Sequence, residues 1–331
     1  MTKPTSSSTL RARVRTLALP AMFAWLAAPA GAQLPSDTGR TLRVVVPFTA
    51  GTSVDVVGRL LAGRLAESLG RPVVVDNKPG AAGTLGSREV AKTNAPRDTL
   101  LFTVFNTVAI NPHIYPSIGY QESDLQPVAM VGAGSYLLVA SHASGIKSLA
   151  DLVAKGKAAP GTLRYGSYGI GSGSHLCMEL LTQRTSASLV HVPYKSPPIT
   201  DLVAGHIDVS VEPAVAALPF VDDGKVVALG FLTTFKPGQP KVAIPSVSES
   251  LPGYECGNWI GFFASSTAGQ DYANRIHADV QKALESPEVR SRMKDFGLQP
   301  LPMTRAEFRT YVDKETAHWG RVVKAAGVKA E

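Results

Sequence analysis

Two glycine-bearing loops hold the residues best suited to bind a ligand. The first reads Pro47-Phe48-Thr49-Ala50-Gly51-Thr52-Ser53-Val54-Asp55. It follows a β-branched run and precedes a helical pattern. Thr52 or Ser53 can therefore cap the helix, while Ala50 and Gly51 let a ligand approach the backbone. A helix N-terminus offers N–H groups without intrahelical acceptors and about half a positive charge, so it attracts anions without a cationic side chain. An ordinary capped strand-to-helix turn uses the same residues, and this loop alone does not separate the two readings. The second loop reads Tyr165-Gly166-Ser167-Tyr168-Gly169-Ile170-Gly171-Ser172-Gly173-Ser174-His175. Its glycines permit positive φ and a dense set of backbone donors, a nest for carboxylate or phosphate. It is neither a dinucleotide fingerprint, since Ser174 stands where the third glycine would fall, nor a P-loop, since no Gly-Lys-Ser/Thr follows.

Residues for covalent chemistry are sparse. The chain contains no Gly-x-Ser-x-Gly elbow, no Cys-x-x-Cys and no His-Glu-x-x-His, which argues against an esterase-like hydrolase and against a zinc site. His175, one residue into a helix, reads as a cap or pocket residue rather than a base, and His191, in a strand, as a core or rim residue. Cys177 and Cys256 are the two cysteines. They can pair in an oxidising compartment, but sequence does not show whether their Cα atoms approach within about 7 Å. No metal or cofactor is expected.

The elements that must position these loops follow from periodicity. Thr41–Val46 is a short β-branched run read as a buried strand. Val54, Val57, Leu61 and Leu65 recur at helical spacing up to Gly70, and Pro72–Val75 is the next strand, which together fit one β-α-β unit. Strand-like runs follow at 99–105, 128–131, 136–141, 163–165, 189–192, 207–211, 226–230 and 259–264. Helical patterns lie at 149–157, 174–184 and 199–205. The alternation predicts an α/β protein with mainly parallel sheets. From Gln270 the pattern is helical, with Pro287 opening one helix, Gly297 closing it, and Thr304 with Glu307 forming a capping box. Two β-α-β halves of similar size, with helices returning after Trp259, predict two lobes with a ligand crevice between them.

Length and charge set the limits. The chain has 331 residues, a net charge of +7 and 44% hydrophobic residues, too apolar for disorder and long enough for two domains. Lys3, Arg11, Arg13 and Arg15 lie in the first 32 residues, which hold no acid; the remainder carries +3 with no basic stripe, so nucleic acid is not an expected partner. Residues 1–32 read as an export signal: a basic start, an apolar run from Leu17 to Ala28 and the small-x-small triplet Ala30-Gly31-Ala32, leaving Gln33 first in the mature chain. A run of about 12 residues is shorter than the roughly 20 a membrane span needs.

The ordered set of motifs resembles one family. Val45-Val46-Pro47-Phe48-Thr49-Ala50-Gly51 with Asp55, then Arg71-Pro72-Val73-Val74-Val75-Asp76-Asn77-Lys78-Pro79-Gly80-Ala81-Ala82-Gly83, resembles the opening of the Bug family, the TctC-like extracytoplasmic receptors of tripartite tricarboxylate transporters. Ala109–Pro112, Tyr165–Ser167 with Gly171, Ser172 and His175, His191–Lys195, Leu251–Tyr254 and Trp319-Gly320 to Lys329 match in order, so the resemblance covers residues 41 to 329. It implies a type II periplasmic-binding-protein fold, two α/β lobes closing on a ligand: residues 33–140 with 257–331 as lobe 1 and 141–256 as lobe 2. It implies a periplasmic, monomeric, non-enzymatic receptor that holds a small organic carboxylate and delivers it to the transporter's membrane components. A receptor feeding a sensor kinase shares that fold and pocket and stays as an alternative. The site it implies comprises Phe48, Thr49, Ala50, Gly51, Thr52, Ser53 and Asp55 from the first loop, and Asn106 and Thr107 from a strand tip. Ser167, Tyr168, Gly171, Ser172, Ser174 and His175 come from the second loop, with Tyr194, Lys195 and Glu212 bordering them. Three departures from the family pattern fall at these places: Thr52 and Val54 around the first loop's Ser53, Ser196-Pro197 after Lys195, and Glu212-Pro213 for the usual Asp-Asn. They point to a ligand unlike the commonest ones, with Glu212 repelling a second anionic group or recruiting an amine unless it faces solvent.

Overall fold

The computed structural model describes residues 1–2, 40–115 and 117–329. The export signal read at 1–32 lies almost wholly outside them. Among the described residues no helix is long and apolar enough to cross a membrane.

The first half is built on β1 (Leu42–Val46), α1 (Ser53–Leu69), β2 (Val73–Asn77), α2 (Thr84–Ala91) and β3 (Thr99–Val104). β1 pairs in parallel with both β2 and β3. Successive residues of a strand face opposite sides, and here both sides are covered. Val44, Val46, Leu100 and Phe102 pack towards α1, while Val45 and Leu101 join a second core with Phe105, Ile110, Leu138, Leu176 and Trp259. After β3 the chain makes a π-helical turn (Asn106–Ile110) and a short α3 (Asn111–Ile114).

The 16-residue strand β4 (Leu125–Ala140) then passes through both halves. Sequence patterning predicts two strands here, 128–131 and 136–141, because Gly132 and Gly134 interrupt the apolar run. They sit inside one strand because other chain segments press against them. A Cβ at Gly132 would lie 2.5 Å from Met293 Cε and 2.7 Å from the Gln299 carbonyl oxygen.

The second half comprises α4 (Leu149–Ala158), β5 (Leu163–Ser167), α5 (Gly173–Thr185), β6 (Leu189–Pro193), α6 (Ile199–Val203), β7 (Val209–Pro213), α7 (Ala214–Asp222), β8 (Val227–Phe231) and α8 (Val247–Ser250). β9 (Gly257–Ser265) returns to the first half, and α9 (Gln270–Leu284), α10 (Pro287–Asp295), β10 (Leu298–Pro300) and α11 (Arg305–Ala326) finish the chain. Strand order is β2-β1-β3-β9-β4-β7-β5-β6, with β8 and β10 also on β4. The expectation of mainly parallel sheets is corrected. β5 pairs in parallel with β6 and β7, but every pairing of β4 and β9 is antiparallel. The two strands that travel between the halves run against their neighbours, an arrangement that local β-α-β alternation does not encode.

The two capping predictions hold: Thr52 Oγ1 accepts the Asp55 N–H, and Thr304 with Glu307 forms the reciprocal box. Ser172 Oγ, not read as a cap from sequence, accepts the His175 N–H at the start of α5. Cys177 and Cys256 form a disulfide with Cα atoms 5.7 Å apart, resolving the pairing that sequence leaves open.

Candidate functional site

The first loop is braced from within. Asp55 is 2% exposed. Its carboxylate accepts the Gly51 N–H at 2.9 Å, the Asn77 side-chain amide at 2.9 Å and Arg59 Nε at 3.1 Å. Burial alone would push this carboxyl up, but Arg59, the Gly51 amide and Asn77 together hold it below the usual range. Its acceptor capacity is thus committed to the loop, and Asp55 sets the loop's shape. Gly51 adopts φ 85°, which its missing Cβ allows. Thr49, Ala50, Gly51 and Ser53 stay exposed at the rim. Ser53 and Val54 open α1, so their N–H groups lack intrahelical acceptors.

A neighbouring loop escapes the residue-by-residue reading. Gly80, Ala81, Ala82 and Gly83 take φ values of 131°, 46°, 51° and 91° in succession. Two alanines in the left-handed region are costly, and such strain concentrates at functional sites. The Asn111 side-chain amide donates to the Ala82 carbonyl at 2.9 Å and helps hold the turn. The run Pro79-Gly80-Ala81-Ala82-Gly83 was the available signal. Gly83 connects this loop to two predicted residues: a Cβ there would lie 2.9 Å from Thr107 Oγ1 and 3.5 Å from the tip of Phe48.

The second loop is also tightly self-bonded. The Tyr168 N–H donates to Ser174 Oγ (3.0 Å), the Gly169 N–H to Ser167 Oγ (3.1 Å) and the Gly171 N–H to His175 Nδ1 (3.0 Å). Ser172 Oγ and Ser174 Oγ are 3.0 Å apart. The loop is therefore a preorganised shell rather than a nest of idle amides. Gly173 and Ser174 begin α5, so this helix start, like that of α1, presents N–H groups without intrahelical acceptors. Asn106 Nδ2 donates to the Gly171 carbonyl at 3.2 Å, and a Cβ at Gly171 would lie 2.7 Å from Ile114 Cδ1. Phe48, Gly83, Thr107, Asn106 and Gly171 thus form a continuous bridge from the first loop to the second.

Beneath the second loop lies an imidazole pair. His175 and His191 stack with centroids 3.9 Å apart, and Tyr165 stacks on His191 at 4.8 Å. Ser167 Oγ is 2.6 Å from His191 Nε2. Burial pushes His175 down to about 3, with His191 adding to the shift, and burial pushes His191 down to about 4. Glu179 lies 3.8 Å from His175 Nε2 but already accepts the Tyr165 hydroxyl proton, and its attraction does not offset burial. His191, read from sequence as a core or rim residue, buttresses the loop.

Glu212 does not face solvent: it is 1% exposed. It accepts the Tyr168 hydroxyl at 2.7 Å and the Ser210 hydroxyl, and burial raises its pKa despite both bonds. Tyr168, more than a third exposed, covers this carboxylate. Tyr194 is half-buried with its hydroxyl on Asp201 at 2.8 Å, and Lys195 is exposed. Phe48 and Tyr168 border the loops. Trp259 is buried away from both loops, against Phe308, Tyr311 and Phe105. Among the described residues no cluster of His, Cys, Asp and Glu could hold a metal ion.

This fold defines the class, that of the periplasmic binding proteins, and the starts of α1 and α5 carry its two glycine-bearing loops. Residues 57–328 match the family model of the tripartite tricarboxylate transporter family receptor, and the chain belongs to that family. It is 32% identical to Protein BugT of Bordetella pertussis over 323 residues, covering 95% of this chain and 98% of that one. Among solved structures, R. palustris Rpa4515 with adipate matches at TM-score 0.74 and 29% identity, covering 88% of this chain and 99% of that one. The periplasmic binding protein BugD matches at TM-score 0.71 and 27% identity with the same coverage. The resemblance read from the motifs and the type II periplasmic-binding-protein fold are both borne out.

Proposed function

We propose that this chain is a periplasmic receptor that captures a small organic carboxylate between two lobes and delivers it to the membrane components of a tripartite tricarboxylate transporter. The lobes are residues 33–140 with 257–331, and 141–256. The observation that carries this reading is the bridge Phe48–Gly83–Thr107–Asn106–Gly171, which brings two hydroxyl-capped helix starts into one neighbourhood. Helix starts attract a carboxylate through their N–H groups and dipole, and the adipate bound by Rpa4515 is a carboxylate. Ser53, Ser172 and Ser174 supply hydroxyls beside those amides, and Asp55 and His175 position the loops. Glu212 under Tyr168 disfavours a second anionic group at that end and favours a ligand with a donor there.

A hydrolase reading fits less well, although Ser167 and His191 are within hydrogen-bonding distance. Ser167 is fully buried and its hydroxyl also serves the Gly169 backbone, so a substrate carbonyl has no approach to it.

The test is a thermal-shift screen of residues 33–331 against small mono-, di- and tricarboxylates and amino acids. A ligand at 100 times its Kd adds about 2.7 kcal/mol, a shift of several degrees. In Ser53→Asp an acid sits at the first position of α1, which the helix dipole tolerates, yet its charge should repel a bound carboxylate and weaken affinity at least tenfold. A flat panel on folded protein freed of co-purified ligand, or a Ser53→Asp variant that binds as tightly as the native chain, overturns the assignment.

A further inference from the structure

A second cavity, of about 490 Å³, lies beside α11, β4 and the start of β9, and its lining shares no residue with the loops described above. The half-buried Tyr311 and Phe235 supply aromatic surface, with the buried Trp259 and Trp319 packed behind it. Glu255 and Glu315 supply two carboxylates, and the lining contains neither lysine nor arginine. Glu315 is held in place by its neighbours: one of its oxygens accepts both the Trp259 indole N–H, at 3.2 Å, and the Trp319 indole N–H, at 3.1 Å. Burial, with Arg321 nearby, pushes the His318 imidazole in the lining down, away from its charged form.

We propose that this cavity is a second binding site, for a small protonated amine with a short apolar tail. Each part of the lining answers to that chemistry. An ammonium group satisfies carboxylates that have no cationic partner in the wall. Aromatic faces attract a cation and cover an apolar tail. The volume falls within the range of small-molecule pockets, roughly 300–1,000 Å³. A bare metal ion would leave the aromatic surface unused. The site stands independently of the carboxylate reading.

The experiment uses the protein's own fluorophores. Of the three tryptophans, Trp25 lies in the segment read as the export signal, so residues 33–331 carry only Trp259 and Trp319, both in this cavity wall. Titration with n-butylammonium chloride, against sodium chloride at matched ionic strength, should give a saturable change in tryptophan emission. Glu315→Gln keeps an acceptor for both indoles and removes the charge; it should fold normally by circular dichroism and bind at least tenfold more weakly, by fluorescence and by calorimetry. A response no different from sodium chloride overturns the proposal. So does a folded Glu315→Gln variant that binds n-butylammonium as the native chain does.

Discussion

At the scale of single residues, the site rests on buried polar groups whose partners are other site residues. His175 and His191 are stacked, flanked by Tyr165, Ser167 and Glu179, and both remain neutral well below the ordinary histidine pKa. A free histidine titrates near 6.5. Below that pH the unfolded chain takes up protons at both positions and the folded chain does not, so unfolding is favoured as acid is added. Stability from this pair is complete above about pH 7. It falls as pH drops from about 6.5 towards the folded values of about 4 and about 3. In His191→Asn one of those protons disappears. Urea midpoints between pH 7 and 4.5 should then decline less steeply than in the native chain; parallel declines would show that the pair does not govern acid stability. Protonating His175 at Nδ1 would also remove the acceptor of the Gly171 N–H, so in the folded chain the loop should loosen only as pH approaches about 3.

At the scale of elements, the parts that were legible in the sequence are the ones decided locally. Thr52 caps α1 because a hydroxyl needs only the amide three residues on. Glu307 and Thr304 find each other for the same reason. The cover of Tyr168 over Glu212 spans 44 residues, and the continuity of β4 depends on what packs against Gly132; neither is encoded within one window. The Cys177–Cys256 bond, at a separation of 79 residues, is the clearest case. It fastens α5, whose start carries the second loop, to the segment entering β9. Tyr254 reinforces the attachment by donating its hydroxyl to the Cys177 carbonyl at 2.8 Å. Closing a loop of that length stabilises the folded state by typically 2–4 kcal/mol through the unfolded chain. The double variant Cys177→Ala with Cys256→Ala should therefore unfold at lower urea by about that amount, the native protein in strong reductant should follow it, and equal midpoints would contradict a structural role.

At the scale of the whole molecule, the closure proposed above would turn where the crossing strands pass between the halves. β4 leaves the β9 ladder at Ser135, opposite Gly257, and joins β7 at Tyr136, opposite Pro213. The Leu232 N–H bonds to the Tyr136 carbonyl and the Cys256 N–H to the Leu232 carbonyl, so the two passages between the halves are tied together through Leu232. A rotation there changes a few backbone angles and leaves both sheets intact, the usual economy of a hinge. A ligand drives such a rotation only through contacts it makes better in the closed form, and contacts from both the α1 and α5 starts would meet that condition. Small-angle scattering of residues 33–331 should show a smaller radius of gyration when a carboxylate identified by the heat-shift screen is added at saturation. In Ser53→Asp the same concentration should leave the profile near that of the free protein. An unchanged profile with the ligand demonstrably bound would separate the two parts of the reading: capture at the helix starts would stand, and closure as the means of signalling occupancy to the transporter would not.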